Sequence, residues 1–342
     1  MLRTIRPSAR CYPRASARQS SSQALLTLGH VDAPLRVLVV GDGNFSYARA
    51  LSRATTATIL ATSFDTRDAL TAMYPTAPAN IAAMSLPHAV RHGIDATQLE
   101  RYGDLPGPFD RIVFNFPHSY AADGGRHNKI SEHRKLLTQF FQSAASVLSP
   151  RGQIWVALCA GQGGTPAETV QRKPGDTWQV AQCAASAQLL LTAVEPFPIR
   201  DLQLLGYESA GYRLGAKGFY TNGSLVHIFC RDDQDDVRAA FPLQWTRDMS
   251  FWTQNSDWSS AKHGDALHEL LQRIWRGAIE VRGVRCVDEY TCPTTRRKSL
   301  CFRVALETYT KAYSDADMVA LLATAGRAMG EAHLGEYRAP TS

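Results

Sequence analysis

The sequence predicts an α/β domain with a parallel sheet, followed by a smaller α+β domain. Short β-branched runs alternate with helical patterns up to about residue 230. The charged stretch RDDQDD then interrupts the chain at 231–236, and the order of the patterns changes after it. With 342 residues, 44% of them hydrophobic and 20% charged, the chain is long enough for more than one core, and disorder throughout is excluded.

The first domain is predicted from apolar strands separated by helical patterns. The run RVLVV at 36–40 has consecutive apolar residues, which indicates a strand buried on both faces of a sheet. Apolar residues over 129–148 recur with the period of a helix that buries one face. The other predicted elements are strands at 57–63, 111–115, 153–159 and 224–230 and helices at 47–54 and 178–191.

The second domain is predicted from the order β-α-β-β-α, which is typical of a small antiparallel sheet with helices on one face. Its predicted elements are strands at 249–253, 281–290 and 300–308 and helices at 266–275 and 314–330. The chain therefore divides into a leader at 1–30, an α/β domain at 31–230, an acidic linker at 231–240 and an α+β domain at 241–342.

The basic charge of the chain is concentrated in its first thirty residues. They hold five arginines and no acidic residue, whereas the rest carries 32 basic and 31 acidic residues. This Arg-rich, Ser-rich leader predicts a mitochondrial transit peptide and hence a location in the matrix; the alternative is a disordered basic tail that touches RNA. The near-neutral remainder excludes a diffuse basic surface, so any RNA contact must come from local patches or shape.

Neither a membrane segment nor a disulfide framework is predicted. No stretch of eighteen apolar residues occurs, so we expect no membrane span. The seven cysteines are odd in number and include no Cys-x-x-Cys pair, so we expect buried or free thiols. They lie at positions 11, 159, 183, 230, 286, 292 and 301.

The segment VLVVGDGNFSYARAL is the first candidate binding motif. Gly41, Asp42, Gly43 and Asn44 lie between a strand and a helix, where glycines allow a tight turn and free helix amides face a ligand. The third glycine of the dinucleotide fingerprint is missing, so the alternative is a simple strand-to-helix turn.

Two acidic residues extend this motif. Asp65 follows the second strand, where a carboxylate can accept hydrogen bonds from both ribose hydroxyls of a nucleotide-like cofactor. Asp95 is placed to reach an adenine edge, although a turn or helix-capping role competes closely. With the glycine loop, this set fits S-adenosylmethionine about as well as a dinucleotide.

The segment Asn115-Phe116-Pro117-His118 is the candidate catalytic corner, because it follows a strand at the edge where open α/β sheets bind ligands. Asn-x-Pro followed by a ring resembles the corner that amino and base methyltransferases place beside the methyl donor. Asn115 would hold a planar N–H nucleophile, Pro117 would fix the backbone, and His118 would take the proton. The alternative for His118 is a loop histidine that caps the strand end.

Two further features of the sequence are a group of possible metal ligands and a glycine-rich segment. A metal cluster of His118, Asp123, His127 and His133 matches no known ligand spacing, so we predict no metal site. The glycine-rich segment at 161–166 is expected to form a flexible loop over the site, with Trp178 either packed against that loop or anchoring the start of a helix.

The sequence also resembles two known families. The motifs GDGNFS, ATSFDT, GIDAT, FDRIVFNFPH and GQGGTPA are similar to those of the ribosomal RNA uridine-N3 methyltransferase family, over about residues 35–229. The C-terminal segment resembles the ferredoxin-fold anticodon-binding domain of the phenylalanyl-tRNA synthetase family. The residues that carry this second resemblance include 241–242, 247–249, 288–290, 297–300 and 337–338.

The resemblance implies a Rossmann-like methyltransferase domain fused to a ferredoxin-like domain. It implies that Gly41 to Asn44, Asp65 and Asp95 hold S-adenosylmethionine and that Asn115 to His118 face a uridine. The implied partner is structured RNA, with rRNA or mitochondrial ribosomal precursors favoured and tRNA as the alternative. Cys159-Ala160-Gly161 lacks the lysine expected in rRNA-modifying members, so a non-catalytic RNA-binding or ribosome-assembly factor is the rival hypothesis.

Overall fold

The computed structural model describes residues 35–119, 126–210, 218–253, 259–332 and 335–338. Within these ranges the strands form one seven-stranded sheet and one four-stranded sheet. The predicted leader at 1–30 lies outside the described residues. None of the described helices has an uncharged apolar stretch of the length that a bilayer requires.

The seven-stranded sheet has the strand order 3-2-1-4-5-7-6. Strand β7 runs antiparallel to both of its neighbours, and the other pairs are parallel. The strands are β1 (Arg36–Val40), β2 (Thr58–Thr62), β3 (Ala89–Arg91), β4 (Phe109–Asn115), β5 (Leu148–Leu158), β6 (Leu189–Pro196) and β7 (Leu225–Arg231). The part 3-2-1-4-5 is parallel, as predicted, and has the doubly wound Rossmann order. The sheet as a whole is mixed, because the predicted strand at 224–230 (β7) is antiparallel to its neighbours.

Helices cover both faces of this sheet. They are α1 (Ser46–Ala54), α2 (Arg67–Met73), α3 (Ala77–Ala82), α4 (Arg126–Ser146), α5 (Val180–Ala185) and α6 (Ile199–Leu204). Alternate residues of β1 enter opposite cores, because successive side chains of a strand point to opposite faces. Leu38 packs in the core that holds Phe140 of α4, and Val39 packs in the core that holds Leu51 of α1.

The four-stranded sheet is antiparallel throughout, with the strand order 11-8-10-9. Its elements are β8 (Leu243–Trp252), α7 (Ser260–Ile274), β9 (Glu280–Thr291), β10 (Lys298–Thr308), α8 (Asp315–Glu331) and β11 (Glu336–Arg338). One face is buried against the two helices, where Phe251, Phe302, Leu271 and Met318 share a core. The predicted order β-α-β-β-α is confirmed and continues into the short strand β11.

The prediction of a helix over 178–191 is wrong beyond residue 185. Helix α5 ends at Ala185, Gln188 has a φ of +56°, and Leu189–Pro196 forms strand β6 beside β7. The left-handed backbone at Gln188 cannot continue an α-helix, and a short apolar run fits a strand as well as a helix. The short elements β3, α2, α3, α6 and β11 were not predicted.

The charged stretch between the sheets is hydrogen-bonded on both sides. The backbone N–H of Ala240 donates to the carbonyl of Leu191 at 2.8 Å, and that of Ala239 donates to the carbonyl of Tyr309 at 2.8 Å. The carboxylate of Asp232 accepts from the N–H of Ala312 at 2.9 Å. The segment predicted as a linker is therefore fastened to both units, while the domain boundaries themselves stay a prediction.

We expect Gly326→Ala to destabilise the four-stranded unit, because a Cβ at this position of α8 would overlap the ring of Tyr337. The loss in unfolding free energy should be about 1–3 kcal/mol, despite the gain of about 1 kcal/mol in helix propensity. Gly330→Ala in the same helix is the matched control, since its Cβ would lie 3.5 Å from the nearest atom, the Gly335 carbonyl oxygen. Urea denaturation measures the free energy of unfolding of both variants. Equal losses for the two would contradict this packing.

Candidate functional site

The site lies where the chain leaves β1 and β4 in opposite directions. These neighbouring parallel strands are paired from Val37 with Arg111 to Val40 with Phe114. A crevice outside their carboxyl ends is the position at which open α/β sheets bind ligands. The structure has a cavity of about 440 Å³ there. It brings together eight of the nine predicted site residues: Gly41, Asp42, Gly43, Asn44, Asp65, Asp95, Asn115 and His118.

The two glycines of the first loop lie tightly against aromatic rings. Gly41 has a φ of +62°, and a Cβ there would lie 2.9 Å from the ring of Phe114. A Cβ on Gly43 would lie 3.2 Å from the ring of Tyr74. The backbone of the loop therefore forms part of the cavity wall, as close approach to a ligand requires.

Asn44 ties the loop to its surroundings. Its Oδ1 accepts from the N–H of Ser46 at 3.1 Å, and its Nδ2 donates to the carbonyl of Glu208 at 3.3 Å. Its own carbonyl accepts from Nδ2 of Asn80 at 2.8 Å. Because two of these bonds reach distant segments, at Asn80 and Glu208, Asn44 holds the loop in position.

Asp42 is a buried acid at the base of the loop. Its Oδ2 accepts from the N–H of Ala48 at 2.8 Å, in the first turns of α1. Burial raises the pKa of Asp42 to about 7, although the nearby backbone amides of Ala48, Phe45 and Tyr47 lower it. The side chain thus joins the loop to the helix and carries a titratable proton beside the cavity.

The acid after β2 lies half-buried at the mouth of the cavity. The carbonyl of Asp65 accepts from the N–H of Gly93 at 3.1 Å and from the hydroxyl of Ser63 at 2.9 Å, which fixes its backbone. Phe64 also lines the cavity, and its side chain is 58% exposed. Sequence analysis missed Phe64, although an exposed ring beside a predicted ribose acid provides a flat apolar surface for a base.

Asp95 lines the same cavity but is already hydrogen-bonded locally. Its Oδ1 accepts from the N–H of Thr97 at 2.8 Å and from the Thr97 hydroxyl at 2.7 Å. Its Oδ2 accepts from Nε2 of Gln98 at 2.8 Å. The structure therefore shows the turn role that was the alternative for Asp95, while the predicted adenine contact stays a prediction.

Asn115 ends β4 at the inner side of the cavity. Its carboxamide approaches the hydroxyl of Tyr47, yet its buried Nδ2 makes no hydrogen bond of normal geometry among the described residues. Burial raises the pKa of Tyr47, and the negative charge of Asp42 raises it further. Asn115 lines the cavity as a residue, but this Nδ2 itself is buried, and its polar neighbour is the Tyr47 hydroxyl.

The chain turns sharply after Asn115. Phe116 has a φ of +50°, and its ring stacks on that of Phe219 with centroids 5.6 Å apart. Pro117 is buried and does not line the cavity, which fits the backbone-fixing part predicted for it. His118 is exposed to the cavity, and its Nδ1 lies 3.2 Å from Nε2 of His133. Tyr47, Tyr207 and Phe219 line the cavity and were not predicted as site residues.

Both histidines of this pair favour the neutral form. Burial lowers the pKa of His118, and the neighbouring His133 and Lys129 lower it further. Burial also lowers the pKa of His133. Both rings are therefore neutral at neutral pH, and a neutral imidazole can accept a proton.

The expectation that the glycine-rich segment 161–166 forms a flexible loop over the site is wrong. None of its residues lines the 440 Å³ cavity. The buried carboxylate of Glu168 accepts from the N–H of Gly161 at 2.5 Å and from that of Gly163 at 2.8 Å, which fastens the segment. Trp178 does contact this segment, since its backbone N–H donates to the carbonyl of Gln162 at 2.7 Å.

The described ranges contain no group of three or more His, Cys, Asp or Glu side chains placed to hold a metal ion. Of the four residues weighed for a metal cluster, only His118 and His133 have described side chains. Asp123 and the side chain of His127 lie outside the described residues.

Comparison with known proteins identifies the family. Residues 38–211, about half of the chain, match the BMT5-like family, described as rRNA (uridine-N3-)-methyltransferase BTM5-like. The chain belongs to this family. The matched residues span the glycine loop, both acids and the Asn115–His118 corner, so the family predicted from these motifs is confirmed.

Two curated relatives cover more of the sequence. The chain is 37% identical over 261 residues to ferredoxin-fold anticodon-binding domain-containing protein 1 of Homo sapiens. It is 35% identical over 263 residues to the homologous protein of Mus musculus. Each alignment covers 75% of this chain but only 39% of the relative, so the chain spans well under half the length of these proteins.

Solved structures share part of the fold at low identity. N-methyltransferase NodS of Bradyrhizobium japonicum is 11% identical, with a TM-score of 0.37, over 62% of this chain and 93% of that chain. The ribosomal protein L11 methylase of Lactobacillus delbrueckii is 15% identical, with a TM-score of 0.36, over 64% of this chain and 80% of that chain. Both scores are below 0.5, so neither structure bears on the function of this chain.

We expect Asp42→Asn to flatten the pH dependence of stability. Because the folded-state pKa of about 7 lies above the ordinary value of 3.8, Asp42 stabilises the fold fully below about pH 4 and loses that contribution as pH rises through 7. Between pH 5 and 8 the wild type should lose on the order of 2–3 kcal/mol that the variant does not lose. Urea denaturation at both pH values measures the difference, and parallel pH dependences would contradict the burial argument.

Proposed function

We propose that this protein is an S-adenosylmethionine-dependent RNA methyltransferase that methylates N3 of a uridine in structured RNA, with rRNA as the favoured substrate. The main support for this proposal is the cavity at the carboxyl ends of β1 and β4. It joins a glycine cradle, a ribose-type acid and a corner that holds the Asn115 side chain and a neutral imidazole. Membership of a family described as rRNA (uridine-N3-)-methyltransferase supports the reaction class.

The residues of the cavity fit S-adenosylmethionine. Backbone at Gly41 and Gly43 approaches the cavity where side chains would clash, and Asp65 offers a carboxylate to ribose hydroxyls. Phe64 offers a ring face to the adenine. The volume of about 440 Å³ lies within the usual range of roughly 300–1,000 Å³ for such pockets. The cofactor, when bound, supplies an electrophilic methyl group.

The chain's own residues prepare the target base. The side chain of Asn115, which lines the cavity, hydrogen-bonds the base and orients it there. His118 takes the proton from the imide nitrogen, whose electron pair becomes available for attack. The aromatic walls at Phe116 and Phe219 hold a flat ring and exclude water from this corner.

The four-stranded unit is proposed to be a ferredoxin-like domain that positions the RNA. Its order β-α-β-β-α-β and the printed names of the two curated relatives support this assignment. Because the unit is nearly neutral overall, contact with RNA requires a local patch, and its surface carries one that is aromatic and basic. Arg297 and Arg338 lie over the Trp252 ring at 5.2 and 4.5 Å, and Tyr290 is 44% exposed beside it.

We place the protein in the mitochondrial matrix, with residues 1–30 as the transit peptide, on the composition of the leader alone. The catalytic domain is 31–230 and the RNA-positioning domain is 241–342. Mitochondrial ribosomal precursors are the proposed partners.

Mapping N3-methyluridine tests the proposed reaction. The full chain, incubated with methyl-labelled S-adenosylmethionine and mitochondrial RNA, should label uridines in rRNA at N3. Binding of S-adenosylhomocysteine without any methyl transfer would contradict the enzyme and favour the non-catalytic assembly factor. Label confined to tRNA would contradict the rRNA assignment.

Asp65→Ala should weaken binding of S-adenosylhomocysteine about 10–100-fold, because a charged contact of roughly 1.5–3 kcal/mol to the ribose would be lost. Asp68→Ala is the matched control, since Asp68 is an exposed acid in the first turn of α2 and does not line the cavity. Titration calorimetry measures both affinities. Equal affinities for the two variants would show that Asp65 does not hold the ribose.

A further inference from the structure

The structure places His133 directly behind the proposed base, His118. It lies on α4, and its side chain is 5% exposed. Its ring stacks on the indole of Trp178, with centroids 4.3 Å apart and an angle of 19° between the planes. Packing from one side and hydrogen bonds at both ring nitrogens therefore fix its orientation.

The contacts of His133 determine which of its nitrogens carries hydrogen. Nδ1 lies 2.5 Å from the carbonyl oxygen of Lys129, one helical turn earlier. A carbonyl oxygen only accepts, so Nδ1 must carry the hydrogen and donate. In the neutral ring the lone pair then resides on Nε2, which faces His118.

The tautomer of His133 determines the tautomer of His118. Nε2 of His133 lies 3.2 Å from Nδ1 of His118 and is an acceptor, so Nδ1 of His118 must be the donor. A neutral His118 with hydrogen on Nδ1 has its lone pair on Nε2. The carbonyl of Lys129 therefore selects, through two rings, the nitrogen of His118 that can act as a base.

We propose that His133 is a positioning residue that fixes His118 as the Nδ1–H tautomer, with Nε2 as the proton acceptor for the target base. In the step, the N–H bond of the base breaks, its proton forms a bond to Nε2 of His118, and its electron pair stays on the base nitrogen. His118 becomes a cation that still donates from Nδ1 to His133. This inference rests on the proposed function for its chemistry, but the tautomer is a property of the protein alone.

Burial, more than the surrounding charges, keeps both rings neutral before this step. Lys129 and Glu132 lie on the same helix, and a second cavity of about 350 Å³ beside His133 brings Arg172 and Asp176 from the facing segments. On the other side, Asp42, Asp65 and Asp95 line the cavity that His118 faces. Burial lowers the pKa of both histidines, which agrees with a neutral pair near pH 7.

Nitrogen NMR of the histidine-labelled full chain tests the tautomers without any substrate. At neutral pH, His118 should show a protonated Nδ1 and a lone pair on Nε2, and so should His133. Assignment is made by comparison with the His118 and His133 variants. A lone pair on Nδ1 of His118, or an equal mixture of both forms, would overturn the proposal whether or not the protein transfers methyl groups.

Two variants of His133 separate positioning from packing. His133→Phe keeps an aromatic ring for Trp178 but has no acceptor, and we expect a mixture of His118 tautomers and a fall in kcat of about 10–100-fold. His133→Gln offers an amide oxygen to Nδ1 of His118 and should recover most of the rate. Both should bind S-adenosylhomocysteine as the wild type does.

The outcomes distinguish this inference from the proposed function. Equal rates and equal NMR spectra for His133→Phe and the wild type would overturn the positioning role. A wild type that shows the expected tautomers but transfers no methyl group would leave the arrangement of the pair confirmed and the proposed function wrong. Circular dichroism melts check that each variant is folded.

Discussion

The site depends on the close contact between the turn after β1 and the side of β4. Gly41 adopts a left-handed backbone against the ring of Phe114, which leaves no space for a Cβ. The chain can therefore leave β1 directly into α1 while β4 turns the opposite way at Phe116. This divergence creates the crevice, and the acids after β2 and β3 reach it because parallel strands end at one edge of the sheet.

Low polarity gives the crevice its chemistry. Asp42 and Tyr47 are buried together, and burial raises the pKa of both. Opposite them, burial lowers the pKa of His118. An acid that titrates near neutral pH and an imidazole that stays neutral lie at the same cavity, and such pairs of oppositely shifted groups are typical of catalytic sites.

Sequence patterns predicted the parts of this arrangement that depend on local order. The apolar run of β1, the long one-faced helix α4 and the residues that follow strand ends were predictable, because each follows from periodicity or sheet topology. The strand β6 was mistaken for helix, since its apolar run fits both periods. The three-residue strand β3 is too short for any pattern. His133 was missed as a partner of His118, because their contact depends on the packing of α4 and Trp178 and leaves no spacing signature.

Hydrogen–deuterium exchange with S-adenosylhomocysteine tests the central claim most directly, because it reports the backbone segments that a cofactor covers. The account predicts slower exchange in the segments 41–47, 63–66 and 94–98, which end three neighbouring strands, and unchanged exchange in the four-stranded sheet. Slower exchange confined to other segments, or no change at saturating ligand, would contradict a cofactor site at the carboxyl ends of β1, β2 and β3.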